Sequence, residues 1–387
     1  MKIQKYQNNN VKYSFHRQSI PLEKYNNICI ISKLAFSILF FFILFLLITR
    51  IRSKNNNKKL KTILPKKYKE IEQKYKIFSD KLRTILDKEE FFENEIMSKH
   101  TTFQLGGPAK FFIKPKSINK IIKIILLCKE YSIEYFILGN GSNLLVSDFG
   151  YDGLIININE DNFSDLKIKQ VDKINYKVTV GGGMLMTNLA KRLCLFSLSG
   201  LEDIIDIPGT IGGGIIMNAN SGSKKGLIYE SLDKVKVITP EGKIKKLLKK
   251  DCKLGIRGSF LKDNKYMVIE ATFNLRKGDK MIIQQKMSNL TSLRYLRQPR
   301  YFPNAGCFFV WYKQKFGSLY AKYKESNLVG YKVGEAMICN YNIAFIINLG
   351  NAKSSDVYEV AKFVEKIMKS KYGINIKREV IILGAFS

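Results

Sequence analysis

Between Leu201 and Gly214 the chain holds one proline, Pro208, and four glycines, Gly209, Gly212, Gly213 and Gly214, in fourteen residues. The rest of the chain is organised around this stretch. Proline fixes one backbone angle and glycine permits the next to be left-handed, so Pro208-Gly209 predicts a tight turn. Gly212 to Gly214 carry no Cβ, so a planar or anionic ligand can lie directly on their backbone. Exposed amide groups in such a turn can hold phosphate oxygens. A purely structural loop has the same composition, and this stretch alone does not separate the two readings.

A second glycine element lies about seventy residues upstream. Tyr135 to Leu138 is a short apolar run, Gly139-Asn140-Gly141-Ser142-Asn143 follows, and Leu144-Leu145-Val146 comes next. That order predicts strand, glycine turn, strand. It matches neither the G-x-G-x-x-G that opens a nucleotide-binding helix nor the G-x-x-x-x-G-K-[ST] phosphate loop. What remains is two glycine loops able to clasp one diphosphate from two sides.

These residues resemble a family. Leu138 to Val146, Gly200-Leu201-Glu202 and Ile207-Pro208-Gly209-Thr210-Ile211-Gly212-Gly213 look like the flavin-binding signatures of the UDP-N-acetylenolpyruvoylglucosamine reductases, the MurB enzymes. The likeness starts near Glu93, includes Ser98 to Ala109, and ends in Arg378 to Gly384. The short span from Arg276 to Gln298 resembles the compact form, which lacks an inserted loop with a substrate-clamping tyrosine. The resemblance implies an α+β fold: a two-lobed FAD-binding domain of the vanillyl-alcohol-oxidase (PCMH) type, then a C-terminal α+β substrate domain. It implies non-covalent FAD, NADPH as co-substrate and a nucleotide-sugar substrate. The cofactor-binding residues are then Gly139, Asn140, Gly141, Ser142, Asn143, Leu144, Ile207, Pro208, Gly209, Thr210, Gly212, Gly213 and Asn218.

Composition adds limits. The formal net charge is +32 over 387 residues. Residues 1–69 carry fifteen Lys and Arg against one acid, Glu23. A solvated basic surface accounts for this, and so does attraction to an anionic nucleotide or an acidic membrane. No basic and aromatic stretch reads as a nucleic-acid module. Six cysteines without a C-x-x-C pair, and only two histidines, argue against a zinc site or a disulfide framework. Leu34 to Thr49 is apolar apart from Ser37 and Thr49, and extended back to Ile28 it is long enough to span a bilayer. Arg50, Arg52, Lys54, Lys58, Lys59 and Lys61 follow it, which orients the remainder to the cytoplasmic side. The leading reading is a transmembrane anchor at residues 28–49 with a basic linker to residue 65, holding a cytoplasmic enzyme. A buried core helix, a cleaved organelle-targeting leader and a soluble cytoplasmic protein are the alternatives.

Beyond the leader, Ile71, Tyr75, Phe78, Leu82, Ile85 and Leu86 recur at helical spacing and predict an amphipathic helix within residues 66–92. Residues 93–277 then read as the flavin domain. Lys110 to Lys114 predicts a strand. Ser117 caps a helix with Ile118, Ile121, Ile122, Ile125 and Leu126 as its apolar stripe. Tyr176 to Val180 predicts a strand running into Gly181-Gly182-Gly183, and Leu185 to Leu195 a helix. Val235 to Thr239 and Met267 to Leu275 read as further strands. Residues 278–387 read as the substrate domain, with strands at Ala305 to Val310 and Ala344 to Asn348 and a last helix from Asp356 to Tyr372.

Reducing an enolpyruvyl double bond needs a hydride for one carbon, a proton for the other, and a positive group for the growing carboxylate charge. By resemblance, Arg257 and Ser259 match a Tyr-Arg-x-Ser motif in which the Arg binds that carboxylate; Ile256 stands where the Tyr is usual. Cys307, in Pro303-Asn304-Ala305-Gly306-Cys307-Phe308-Phe309, stands where the family carries a proton-donating Ser. A thiol with a pKa near 8.5 is protonated at neutral pH and can donate. Glu379 matches the family's terminal glutamate, an acid or electrostatic partner. Without the motifs each would pass as a surface Arg, a buried inert Cys and a Glu opening an exposed strand. Val310-Trp311-Tyr312, Asn218-Ala219-Asn220-Ser221 and Asn342-Ile343-Ala344-Phe345 depart from the family pattern and bear on substrate contacts. Two other outcomes fit the same residues: a flavin oxidoreductase with another substrate, and a flavoprotein without turnover that serves as an interaction component.

Overall fold

The computed structural model describes residues 66–219, 228, 230–311 and 316–386. The apolar run at 28–49 and its basic linker lie outside the described residues. Among the described residues no helix is long and apolar enough to cross a membrane. The chain divides into two units, Met1–Gln73 and Lys74–Ser387. Of the first, only the opening turns of helix α1 (Lys66–Ile85) are described.

The first lobe of the larger unit is a four-stranded sheet in the order β1-β2-β5-β3, formed by β1 (Phe91–Ile96), β2 (Pro108–Ile113), β3 (Tyr135–Leu138) and β5 (Tyr151–Asn157). β1 runs antiparallel to β2, whereas β2 and β3 run parallel to β5. Successive strand residues face opposite sides, and here both sides are covered. Phe111, Ile113, Leu154 and Ile156 meet Phe78 and Leu82 of α1 and Ile121 and Ile124 of helix α2 (Ile118–Glu130). Phe112 and Ile155 face the other way, towards Met97, Leu138 and Val146. The Phe78 and Phe111 rings sit 5.3 Å apart. Each such buried aromatic contributes about 1.5–3 kcal/mol.

Two local readings change. α1 stops at Ile85, and Phe91 onward pairs as sheet rather than continuing as helix. Ser117 caps α2 by accepting from the Lys120 N–H, but the buried face is Ile121, Ile124, Ile125 and Cys128, with Leu126 turned to solvent. The i, i+3, i+4, i+7 spacing admitted either register, and contact with β2 and β5 selects this one.

The second lobe is an antiparallel sheet in the order β10-β9-β11-β7-β6, with a short β8 beside β11. Its strands are β6 (Leu166–Gln170), β7 (Asn175–Gly181), β8 (Leu198–Ser199), β9 (Leu232–Ile238), β10 (Ile244–Leu248) and β11 (Met267–Lys277). Helices α3 (Met186–Leu195) and α4 (Ile211–Ile216) pack on it through Leu189, Leu193, Ile211 and Ile215. The short α5 (Phe260–Asp263) precedes β11, and α6 (Lys280–Arg297) returns to the same core through Ile283 and Met287. The short span from Arg276 to Gln298 is therefore mostly a helix on the second lobe.

The third region is a four-stranded sheet, β12 (Asn304–Cys307), β16 (Phe345–Asn348), β15 (Ala336–Ile338) and β14 (Lys332–Val333) in that order. Between them come β13 (Phe309–Val310) and helix α7 (Leu319–Glu325). Helix α8 (Ser354–Tyr372) covers this sheet with Val357, Val360, Ala361, Val364 and Met368. Gly373, left-handed at φ 65°, ends it. The chain then returns to the glycine loops: β17 (Lys377–Arg378) pairs with β13, and β18 (Ile381–Leu383) pairs with β4 (Leu144–Val146).

Candidate functional site

The two glycine loops meet. The Asn140 side-chain amide donates to the Pro208 carbonyl at 2.7 Å. Asn157, at the end of β5, donates to the carbonyls of Leu138 and Gly139 at 3.2 and 3.0 Å and fixes the start of the first loop. Gly141 is left-handed at φ 59°, and a Cβ there would overlap the His100 carbonyl. The Thr102 N–H closes the same contact by donating to the Gly141 carbonyl. A Cβ on Gly139 would come within 2.6 Å of Thr210 Oγ1. Ser142 faces Gly209. Leu144 is buried beside Ile381, and Asn143 donates to the Glu379 carbonyl at 3.2 Å while accepting from Ile381 N–H.

The second loop has a different local reason for its glycines than the sequence predicts. Gly209 is not left-handed; Asp206 is, at φ 57°. A Cβ on Gly209 would lie 2.8 Å from Met186 Cε, so this glycine admits α3. Thr210 caps α4 by accepting from Gly213 N–H at 3.2 Å. Gly212 and Gly214 are buried against the Gly182 and Val268 carbonyls and the Met186 sulfur. Gly213 alone of the three is exposed, with only Thr210 Oγ1 near its Cβ position. Thr187 donates to the Ile207 carbonyl at 3.5 Å. The run Gly181-Gly182-Gly183, which the sequence showed only as a strand end, supports the second loop: Gly212 N–H donates to Gly182 O.

Past α4, Asn218 takes φ 41°. Its Nδ2 donates to the Gly255 carbonyl at 2.7 Å, and its buried Oδ1 has no hydrogen-bond partner among the described residues. Ser259 caps α5 and donates to the Ile216 carbonyl at 2.8 Å. Gly255 N–H bonds Gly258 O, and the tight turn they close carries Arg257 at φ 55°. The motif serine is buried and thus anchors the turn.

That turn brings Arg257 to Glu379, with Nε 3.0 Å from Oε1. Glu379 is not on an exposed strand. It lies between β17 and β18, its N–H donates to the Phe308 carbonyl at 2.9 Å, and its side chain is 12% exposed. Burial pushes its carboxyl up to about 7, against the pull of Arg257 and Lys262. Cys307 is the third member. Burial pushes its thiol up to about 11, Glu379 adds to the rise and Arg257 opposes it. The thiol is therefore protonated at neutral pH, beside one cation and one carboxyl poised to titrate. Arg257, Cys307 and Glu379 come from three distant points of the chain, and the glycine loop contacts the last of them through Asn143.

Sequence reasoning missed Asn157, the His100–Thr102 backbone and Lys262. No spacing marks them as site residues, since each acts through contacts or charge that only the fold brings near. Among the described residues no group of three or more His, Cys, Asp or Glu is placed to hold a metal.

Two family models match parts of the chain. A family model described as "FAD binding domain" matches residues 109–248. One described as "UDP-N-acetylenolpyruvoylglucosamine reductase, C-terminal domain" matches residues 298–383. The UDP-N-acetylenolpyruvoylglucosamine reductase of Clostridium novyi is 38% identical over 305 residues, covering 79% of this chain and 95% of the relative. That of Listeria welshimeri is 36% identical over 292 residues, covering 75% and 94%. The crystal structure of MurB from Thermus caldophilus is similar at a TM-score of 0.62 and 27% identity, covering 75% of this chain and 98% of that one.

Proposed function

The chain belongs to the UDP-N-acetylenolpyruvoylglucosamine reductase family, and from that membership we propose how its own residues reduce UDP-N-acetylglucosamine enolpyruvate to UDP-N-acetylmuramate with electrons from NADPH. It is an FAD-dependent oxidoreductase of peptidoglycan precursor synthesis, with a PCMH-type flavin-binding fold followed by the family's C-terminal domain.

The residues fit a flavin. Two loops are tied edge to edge at Asn140 and Pro208, Gly213 leaves open backbone, and the orphaned Asn218 Oδ1 is an acceptor of the kind a flavin ring N–H requires. Gly139 to Leu144 and Ile207 to Gly213 would hold the cofactor. When bound, FAD carries hydride from NADPH to substrate. We assign the flavin domain to residues 93–277 and the substrate domain to residues 278–387. We also assign residues 28–49 to a membrane tether with the enzyme on the cytoplasmic side, on the strength of the apolar run and the cations behind it.

The single observation that carries the reading is the convergence of Arg257, Cys307 and Glu379. Arg257 binds the substrate carboxylate through its planar guanidinium and stabilises the charge that grows there. The pair with Glu379 uses Nε, and the guanidinium has further donors for that carboxylate. A proton on Glu379 weakens the ion pair, so a carboxyl near 7 leaves more of the Arg257 charge to the substrate at neutral pH. Cys307 gives its proton to the second carbon. Glu379, once protonated, is a hydrogen-bond donor at the same place. The test is NADPH oxidation by the purified protein. Oxidation that depends on the enolpyruvyl nucleotide sugar is expected; NADPH oxidation indifferent to that compound would favour another substrate.

A further inference from the structure

Asp206 stands two residues before Pro208 with a left-handed backbone, which Asp and Asn adopt more readily than other residues with a side chain. Its side chain is 14% exposed and faces Arg300, with Nη1 3.4 Å from Oδ2. Burial pushes its carboxyl up, but Thr291, Arg300 and Arg294 outweigh burial and hold it below the usual range. It is therefore a carboxylate throughout the neutral range.

The surroundings show why the charge matters. Arg294 of α6 is buried, donates to the Asp203 carbonyl at 3.2 Å, and has an Nε without a hydrogen-bond partner among the described residues. Arg300 lies over the Tyr295 ring at 4.1 Å. Lys286 is already paired with Glu202 and Asp203, at 3.2 and 3.5 Å. Asp206 pairs with Arg300 and its charge also acts on Arg294, as that of Asp203 does, which offsets the repulsion between the two guanidiniums.

Contacts run from this pair in two directions. Forward along the chain, Asn304 Nδ2 donates to the carbonyls of Pro299 and Phe302, and Asn304 Oδ1 accepts from Gly306 N–H, the residue before Cys307. On the other side, Asp206 leads directly into Ile207, held by Thr187, and Pro208, held by Asn140.

We propose that Asp206 is a positioning residue whose ion pair with Arg300 fixes the cofactor loop relative to the Cys307 turn. The proposal rests on the reading of the site given above. Hydride and proton must reach adjacent carbons of one substrate, so an error of about 1 Å between their sources can cost on the order of 100-fold in rate. Reduction by NADPH does not use Cys307 and is less sensitive to that distance.

The test compares Asp206→Asn, Asp206→Gly, Arg300→Gln and the double variant Asp206→Asn/Arg300→Gln in the full chain. Flavin content, thermal midpoint and the two half-reactions are measured by anaerobic rapid mixing. Asn and Gly both tolerate the left-handed backbone, and neither carries the charge. Expected is an about 10- to 100-fold slower reoxidation by the enolpyruvyl substrate in each single variant, with no further loss in the double. Flavin content and the rate of reduction by NADPH are expected to stay within about twofold. A native reoxidation rate in Asp206→Gly or Asp206→Asn overturns the tie. A parallel fall of both half-reactions and of the thermal midpoint reduces Asp206 to a stability role and also overturns it. Native protein that binds flavin but is not reoxidised by this substrate overturns the site reading and the tie together, which separates the two failures.

Discussion

Replacing Glu379 by Gln sets stability against activity, and the size of the stability gain depends on pH. The folded protein holds the carboxyl at about 7 against a reference of 4.5, chiefly by burial. At 1.36 kcal/mol per unit, burying the ionised form costs about 3 kcal/mol relative to the protonated form. The folded pKa is raised, so this stabilising contribution of the protonated group is complete below about 4.5. It is lost as pH rises through about 7. Gln keeps the shape and never ionises. Flavin-free Glu379→Gln is therefore expected to match the native protein near pH 5 and to exceed it near pH 8 by up to about 3 kcal/mol. At about 2–4 °C per kcal/mol, that is several degrees in thermal midpoint. Turnover with the enolpyruvyl substrate should fall at the same time, because the carboxyl no longer titrates beside Arg257. Thermal melts of both proteins from pH 5 to pH 8 decide the matter. Parallel profiles, or a variant less stable than native at pH 8, would refute the reasoning that burial dominates this group.

Three further outcomes are expected. Cys307→Ala should reduce the flavin with NADPH at nearly the native rate and lose about 10²–10⁴-fold in reoxidation by substrate, while Cys307→Ser keeps much of that rate; equal rates in the Ala variant would remove Cys307 as donor. Gly213→Val, at an exposed position with open space, should fold and lose flavin, whereas Gly141→Val, which meets the His100 carbonyl, should fail at folding; flavin-loaded Gly213→Val would show that this backbone does not meet the cofactor. The full chain should fractionate with membranes and a chain starting at Lys66 should not; full-length uncleaved protein in the soluble fraction would remove the tether at residues 28–49.

Much of the fold was legible because the signals were local. The sequence pattern predicts strands at Tyr176 to Val180 and Met267 to Leu275, which run over Asn175–Gly181 and Met267–Lys277, and the Ser117 cap marks the start of Ile118–Glu130. The glycine loops were found by composition, but the reasons for individual glycines were not. Gly209 admits Met186 and Gly141 admits the His100 backbone, and neither contact leaves a trace in the neighbouring sequence. The same holds for the proposed catalytic groups. Arg257, Cys307 and Glu379 were recognisable as motif positions, while the ion pair and the raised carboxyl depend on burial that the fold creates where the Glu379 backbone bonds Phe308 and Asn143. Asp206 gave no signal because its partner, Arg300, is distant in sequence.

The most direct measurement is a single anaerobic turnover. The purified protein is loaded with FAD, reduced with one equivalent of NADPH and mixed with UDP-N-acetylglucosamine enolpyruvate. The oxidised flavin spectrum should return with one equivalent of substrate consumed and a product two hydrogens heavier. A flavin that stays reduced in the presence of that substrate, in protein that NADPH has reduced normally, would contradict the assignment of Arg257, Cys307 and Glu379 to this reaction.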